Sequence, residues 1–233
     1  MEIGLKISVV VPTLNEAPNL GKTLAPLQPL RERGRIEILV VDGGSTDGTL
    51  ALAERFSDSV IRSEPGRARQ MNAGAKTATG QALLFLHADT LLPKDFHEQI
   101  THALTRTGAL WGRFDVTFEP STPLLRLVAW MINHRSRLTR VCTGDQAIFV
   151  RSCIFRNFGN FAEIPLMEDI ELTRRLRYLT APACVRSPVV TSSRRWLRHG
   201  TLRTIVLMWR LRLLYWLGVS PERLARIYYP GRT

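Results

Sequence analysis

Cysteine, lysine and, toward the end of the chain, acidic residues are all scarce. The three cysteines (Cys142, Cys153, Cys184) are an odd number without C-x-x-C spacing, which supports neither a disulfide framework nor a zinc cluster and favours a reducing, cytoplasmic setting. No basic segment followed by an apolar core opens the chain; Met1 to Lys6 run straight into a strand, so nothing marks it for export. Internal repeats, low-complexity tracts and Pro/Gly/Ser linkers are also missing, which leaves one compact domain over residues 1–198 and a basic extension over 199–233. Of the 233 residues, 45% are hydrophobic and 22% charged. Those proportions describe a folded soluble body and exclude both wholesale disorder and a polytopic membrane protein. The net charge is +12, and only four of the 32 basic residues are lysine. Residues 194–233 hold nine arginines against Glu222 alone, a balance that favours phosphates, anionic lipid or nucleic acid as partners.

Lys6 to Val11 is a continuous β-branched run stopped by Pro12, the pattern of a parallel strand buried on both faces. Pro18 suits a first helical position, and Leu20, Leu24 and Leu27 keep helical spacing up to Pro29, where the helix is expected to end. The pattern then predicts a strand over 36–41, a turn with three glycines over 42–48, a helix over 49–56, a short strand over 59–62, a helix over 67–78 and a strand over 81–86. Beyond residue 90 the expected elements are a helix opening at Pro93, a strand over 109–118, a helix over 123–137, a strand over 147–150, short and longer helices over 152–158 and 168–179, and an amphipathic helix over 201–217. The first half is therefore an alternating α/β unit with a mostly parallel sheet, and its ligands belong beyond the carboxyl ends of the strands. Residues 12–16, 42–48 and 87–89 all fall there.

Asp89, just past an apolar strand, suits a divalent cation or a phosphate partner, or else caps the following turn. Asp42 has the same placement, and Asp-Gly-Gly is also ordinary turn chemistry. Gly66 to Asn72 sets Arg67 and Arg69 at a helix start, where backbone N–H groups and the dipole favour a diphosphate; a solvated charged face is the plainer alternative. Glu168 and Asp169 follow the apolar loop 164–167 and open a helix. They either answer the macrodipole or supply a general base for a substrate hydroxyl.

Taken together, Pro12-Thr13-Leu14-Asn15-Glu16, Val41 to Thr49, the strand from Gly80 to His87-Ala88-Asp89, Gly144-Asp145-Gln146 and Glu168-Asp169 resemble a glycosyltransferase of family 2 with a GT-A (Rossmann-like) fold. Gly66 to Gly74, Pro165 to Asp169 and Ser220 to Arg226 are most similar to a bacterial subgroup labelled arsenosugar-biosynthesis type. The resemblance implies an inverting transfer from a nucleotide diphosphate sugar to an acceptor hydroxyl. Asp169 would be the catalytic base and Asp89 the ligand of Mg²⁺ or Mn²⁺. Pro12, Thr13, Asn15, Glu16, Asp42, Gly44, Arg67, Asn72, His87 and Ala88 would hold the nucleotide. Arg69, Gly144, Asp145, Gln146, Glu168, Arg194, Arg195 and Trp196 would face the acceptor or the phosphates. His87 stands where the family usually has the first carboxylate of an Asp-x-Asp, and Ser192 where polymer-making relatives have the Gln of Gln-x-x-Arg-Trp, so a non-processive enzyme is expected.

The extension is too interrupted by arginine to span a bilayer of ~30 Å. Its basic amphipathic character suits an anionic membrane surface, at the inner face of the membrane and with a lipid-linked acceptor, or packing against the domain or a partner. Two rival readings are an inactive nucleotide-sugar binder and a basic nucleic-acid module. The interleaved aromatics on a basic β-face that mark the second are missing, and no nucleic-acid partner is expected.

Overall fold

The computed structural model describes residues 4–229; the first three residues of the opening segment and residues 230–233 of the extension lie outside it. Strand β1 (Ile7–Thr13) leads through α1 (Ala17–Leu24) and α2 (Gln28–Glu32) to β2 (Ile36–Asp42), and α3 (Thr49–Phe56), β3 (Ser59–Arg62), α4 (Arg67–Thr77) and β4 (Ala82–Phe85) complete the first half. The second half runs β5 (Thr90–Leu91), α5 (Phe96–Thr105), β6 (Trp111–Glu119), α6 (Pro123–Thr139), β7 (Phe149–Arg151), α7 (Ser152–Asn157), α8 (Glu168–Leu176) and β8 (Ala183–Ser192). It closes with α9 (Arg194–His199), α10 (Thr201–Trp216) and α11 (Pro221–Tyr228).

One eight-stranded sheet, in the order β3-β2-β1-β4-β7-β6-β8-β5, carries the chain. Its first four strands are parallel. The remaining pairs are antiparallel except β6 with β8, so the sheet is mixed with four of its seven strand pairs parallel, as the expected mostly parallel sheet requires. The α/β, GT-A fold class is as expected. Side-chain alternation explains the continuous apolar runs: Ile7, Val9 and Val11 of β1 pack on one face with Leu20, Leu24 and Ile100, while Val10 packs on the other with Met71 and Leu83. Helix α4 approaches that second face so closely that a Cβ at Gly74 would lie 2.5 Å from Val10 Cγ1.

Four expectations are corrected. Pro29 does not end the first helix; a 3₁₀ turn over 25–27 intervenes, and Pro29 opens α2, where its missing N–H costs nothing. Helix α5 starts at Phe96, not at Pro93. The strand expected from Ala147 begins at Phe149, since Ala147 takes the left-handed conformation at φ 45°. Strand β8 was not anticipated at all, because Arg186 and Pro188 break the apolar alternation; its register against β6 passes from Phe114–Val185 to Asp115–Pro188, so that Arg186 and Ser187 bulge out of the ladder.

Candidate active site

The sheet topology brings the motif clusters to one rim. Thr13 pairs with Asp42 across β1 and β2, and Val10 pairs with Phe85, which leaves 87–89 beyond the same strand ends. The β5–β8 pair sets Thr90 beside Thr191, their hydroxyls 2.9 Å apart. The chain leaving β8 therefore carries Arg194 to the rim. Its guanidinium contacts Glu16 at 2.5 Å and Asp89 at 3.5 Å, joining the 12–16 segment to the 87–89 segment.

Asp89 and Asp169 line the same cavity, of about 450 Å³, together with Arg67, His87, Asp145 and Glu168. The same lining has an apolar part: Phe118 from β6, Val128 and Met131 from α6, Trp196 from α9, and Ile205 and Met208 from α10. Asp169 is the second residue of α8, which opens after Met167 in the left-handed conformation at φ 71°. The Gly144 N–H donates to Asp169 Oδ2 at 2.7 Å and the Ile170 N–H to Oδ1 at 2.7 Å, so the carboxylate is held from both sides. Gly144 begins a 3₁₀ turn fixed by a capping box between Thr143 and Gln146. A Cβ there would lie 2.8 Å from His87 Nε2 and 3.7 Å from Asp169 Oδ2. Glycine is what lets the His87 imidazole close on this turn.

Burial, then the Arg67 charge, push His87 down to about 3, so its imidazole is neutral throughout the physiological range. Burial works against the Arg67 charge but is more than offset by its neighbours Tyr229, Glu168, Tyr228 and Asp169, and the guanidinium stays protonated. Burial and the neighbouring Glu16 raise Asp89, against the lowering effects of Arg194 and Arg67. Glu168, 6% exposed, is pushed up to about 7 by burial and then by Asp169. Because it keeps its proton to higher pH in the folded chain than in the unfolded one, its contribution to stability is fully present below the ordinary carboxylate range and is lost as pH rises through about 7. Glu168→Gln removes that loss. Its melting temperature should exceed that of the parent chain at pH 8, with the gain vanishing near pH 4; a gain that is equal at both pH values would show that the Glu168 proton is not the cause.

Most of the other expected residues fall outside this cavity. Asp42 is buried, and its carboxylate accepts from the Gly44 and Ser45 N–H groups at 2.9 Å and from Ser45 Oγ at 2.5 Å; it anchors the 42–48 turn. Asn15 takes φ 56°, and its Oδ1 accepts from the Thr46 N–H, tying the two rim loops together. Pro12 and Thr13 end β1, and Ala88 lies in the turn between β4 and β5, with Thr23 donating to its carbonyl at 2.8 Å. Asn72 pins the 159–167 loop by two bonds to Phe161 at 2.9 and 3.0 Å. Together with Arg69, which is paired to Glu64 and Glu163, it lines a second, separate groove. Gln146 is buried against Ser136 and the Phe114 carbonyl. Arg195 lines the cavity with its guanidinium 3.7 Å above the Tyr228 ring, and Trp196 packs on Phe118. Sequence reasoning missed Arg135 of α6 and Arg212 of α10, which also line the cavity. Burial, then the charge of Arg212, push Arg135 down to about 10. Both sit on ordinary amphipathic helices, and no motif signals them.

Among the described residues no group of three or more His, Cys, Asp or Glu side chains forms a metal cage. A divalent oxygen-seeking cation needs only one or two carboxylates when phosphates complete its shell. Asp89, a partly buried carboxylate at the sheet rim with Glu16 nearby, fits that kind of cation.

The strand order, the rim and the cavity are those of a GT-A fold. Residues 8–164 match the profile of Glycosyl transferase family 2, and the chain belongs to that family. An uncharacterized glycosyltransferase of Mycobacterium tuberculosis (strain H37Rv) is 37% identical over 114 residues, 46% of this chain and 44% of that protein. Among solved structures, Staphylococcus aureus TarS 1–349 in complex with UDP-GlcNAc superposes with a TM-score of 0.63 at 21% identity, over 81% of this chain and 58% of that one. Mannosyltransferase PcManGT from Pyrobaculum calidifontis, in complex with GDP-Man and Mn²⁺, gives 0.61 at 21% identity over 82% and 57%. At such identities the likeness is one of fold. The chain spans less than half the length of that curated relative. No described helix is long and apolar enough to cross a membrane.

Proposed function

We propose that the chain transfers a sugar from a nucleotide diphosphate sugar to an acceptor hydroxyl with inversion at the anomeric carbon. The observation that supports it is the shared cavity: a carboxylate fixed at a helix start, Asp169, lines one space with a second carboxylate, Asp89, and the Arg67 guanidinium. In this reading Asp169 removes the acceptor proton as the hydroxyl attacks from the face opposite the leaving group. Its two hydrogen bonds, from Gly144 and Ile170, hold it at the required angle. Arg67, at the start of α4, binds the diphosphate, where helix dipole and guanidinium act together. A divalent cation, Mg²⁺ or Mn²⁺, held by Asp89 would supply further positive charge against the leaving diphosphate. The rim of residues 12–16 and 42–46 receives the nucleoside, with Asp42 and Asn15 shaping its two loops. The acceptor enters along the apolar wall past Trp196 and Arg195, which suits a lipid-linked molecule. Neighbours of the same fold hold UDP-GlcNAc, or GDP-Man with Mn²⁺, which supports a nucleoside diphosphate donor here.

A thermal-shift panel of UDP, GDP, CDP and TDP, each with and without Mn²⁺, tests this reading. A ligand confined to the native state adds about 2.7 kcal/mol of stability at a hundred times its Kd. One base should raise the melting temperature, and more so with the metal. A flat panel at millimolar nucleotide would overturn the proposal.

A further inference from the structure

Helix α10 is apolar on two sides. Its inner side packs Leu211, fully buried, with Leu207 and Met208 against Met167, Ile170 and Leu224. On the other side Leu202, Val206, Trp209, Leu213 and Trp216 follow one another at spacings of four, three, four and three, a single stripe along the helix. These five side chains are 57 to 76% exposed. A helix at the surface of a soluble domain normally turns polar residues outward, and a contiguous exposed apolar strip marks a contact surface.

Charge decides what the contact is. Helix α10 has no acidic residue, and exposed Arg203 and Arg210, seven apart, flank the stripe on one side. Between residues 172 and 221 there are ten arginines and no Asp or Glu. Two copies joined through the stripe would bring these arginines together with no carboxylate on either helix to answer them. An anionic surface answers the exposed Arg203 and Arg210 directly, and tryptophan and leucine between arginines is the composition that settles at a lipid headgroup boundary. Trp209 belongs to the stripe and also lines the cavity, so the cavity lining reaches the same face.

We infer that the outer face of α10 rests on an anionic lipid bilayer, which places the mouth of the cavity at the membrane surface. The contact deepens the transferase reading by giving the acceptor its route of entry, but it rests on the stripe and its charge and stands or falls separately. The test is co-sedimentation of the full chain with phosphatidylglycerol/phosphatidylcholine vesicles and with phosphatidylcholine alone, at low and high salt. Binding should require the anionic lipid and weaken with salt. The double variant Arg203→Gln/Arg210→Gln should lose about fivefold in affinity per arginine, and Leu213→Ser/Trp216→Ser, which leaves the cavity lining untouched, about tenfold or more. Both variants should keep the nucleotide-dependent thermal shift of the parent chain, which reports folding. Failure to co-sediment with anionic vesicles at low salt overturns the inference. So does a dimer in lipid-free solution that Leu213→Ser/Trp216→Ser turns into a monomer, because the stripe is then covered by a second copy. Vesicle binding without any nucleotide response would instead remove the transferase reading and leave the membrane face standing.

Discussion

Asp169→Asn is expected to lower the transfer rate by about 100-fold to 10,000-fold, the usual contribution of a positioned general base, while the nucleotide-dependent thermal shift stays as in the parent chain. Asparagine has nearly the same shape and can still accept from one of the two N–H groups, Gly144 or Ile170, that hold the carboxylate. What it cannot do is take a proton. The loss should therefore fall on kcat, with the KM for the donor little changed, because the missing interaction is made only as the acceptor hydroxyl is deprotonated. Glu168 lies next in the chain and shares the cavity, but burial and Asp169 raise it. With the Asp169 charge gone, that second cause is removed and Glu168 ionises at lower pH, so the residual activity of Asp169→Asn should vanish in Glu168→Gln/Asp169→Asn. A single mutant that turns over at the parent rate would take the base assignment away from Asp169.

The pairing of Asp89 with Asp169 was legible because both follow strong local signals: an apolar strand that must end, and a carboxylate pair that opens a helix after an apolar loop. Strand-end placement alone did not reveal what Asp42 does. Its sequence context is the same as that of Asp89, yet its carboxylate turns back into its own loop, a choice made by two or three hydrogen bonds that no spacing encodes. The parallel half of the sheet could be read from continuous β-branched runs, since strands buried on both faces have no polar alternation to confuse with a helix. Strand β8 could not, because Arg186 and Ser187 bulge out against β6 while Pro188 stays in register with Asp115, an arrangement that depends on the partner strand. Arg135 and Arg212 were invisible for a related reason. Each looks like a solvated arginine on an amphipathic helix, and only the packing of α6 near α10 turns them into the cavity. The exposed stripe of α10 was seen as amphipathy, but the two-sided character of the helix needed the structure, since sequence does not say which apolar face is covered.

Asp115→Ala is expected to cost about 3–5 kcal/mol of unfolding free energy, the size seen when one partner of a buried ion pair is removed. Arg113 of β6 is completely buried, and its guanidinium is paired to Asp115, two residues on along the same strand face. Its Nη2 donates to the Asn133 carbonyl at 3.2 Å, and Asn133 in turn bonds both the N–H and the carbonyl of Val116, fastening α6 to β6. Removing Asp115 leaves a guanidinium in a dry interior with one backbone carbonyl as its partner, and the desolvation cost is no longer offset. Arg137, the second partner of Asp115, is 30% exposed and can return to water, so it adds little to the loss. Urea unfolding at pH 7 should show the midpoint falling at an unchanged slope. Replacing both charges, Arg113→Met with Asp115→Leu, should recover most of the loss, because two apolar groups of similar volume carry no desolvation cost. A double variant as unstable as Asp115→Ala would mean that β6 is held to α6 by shape alone and not by the charge inside it. Since α6 supplies Val128 and Met131 to the cavity wall, Asp115→Ala should also weaken acceptor turnover before it unfolds the chain, and the double variant should restore it.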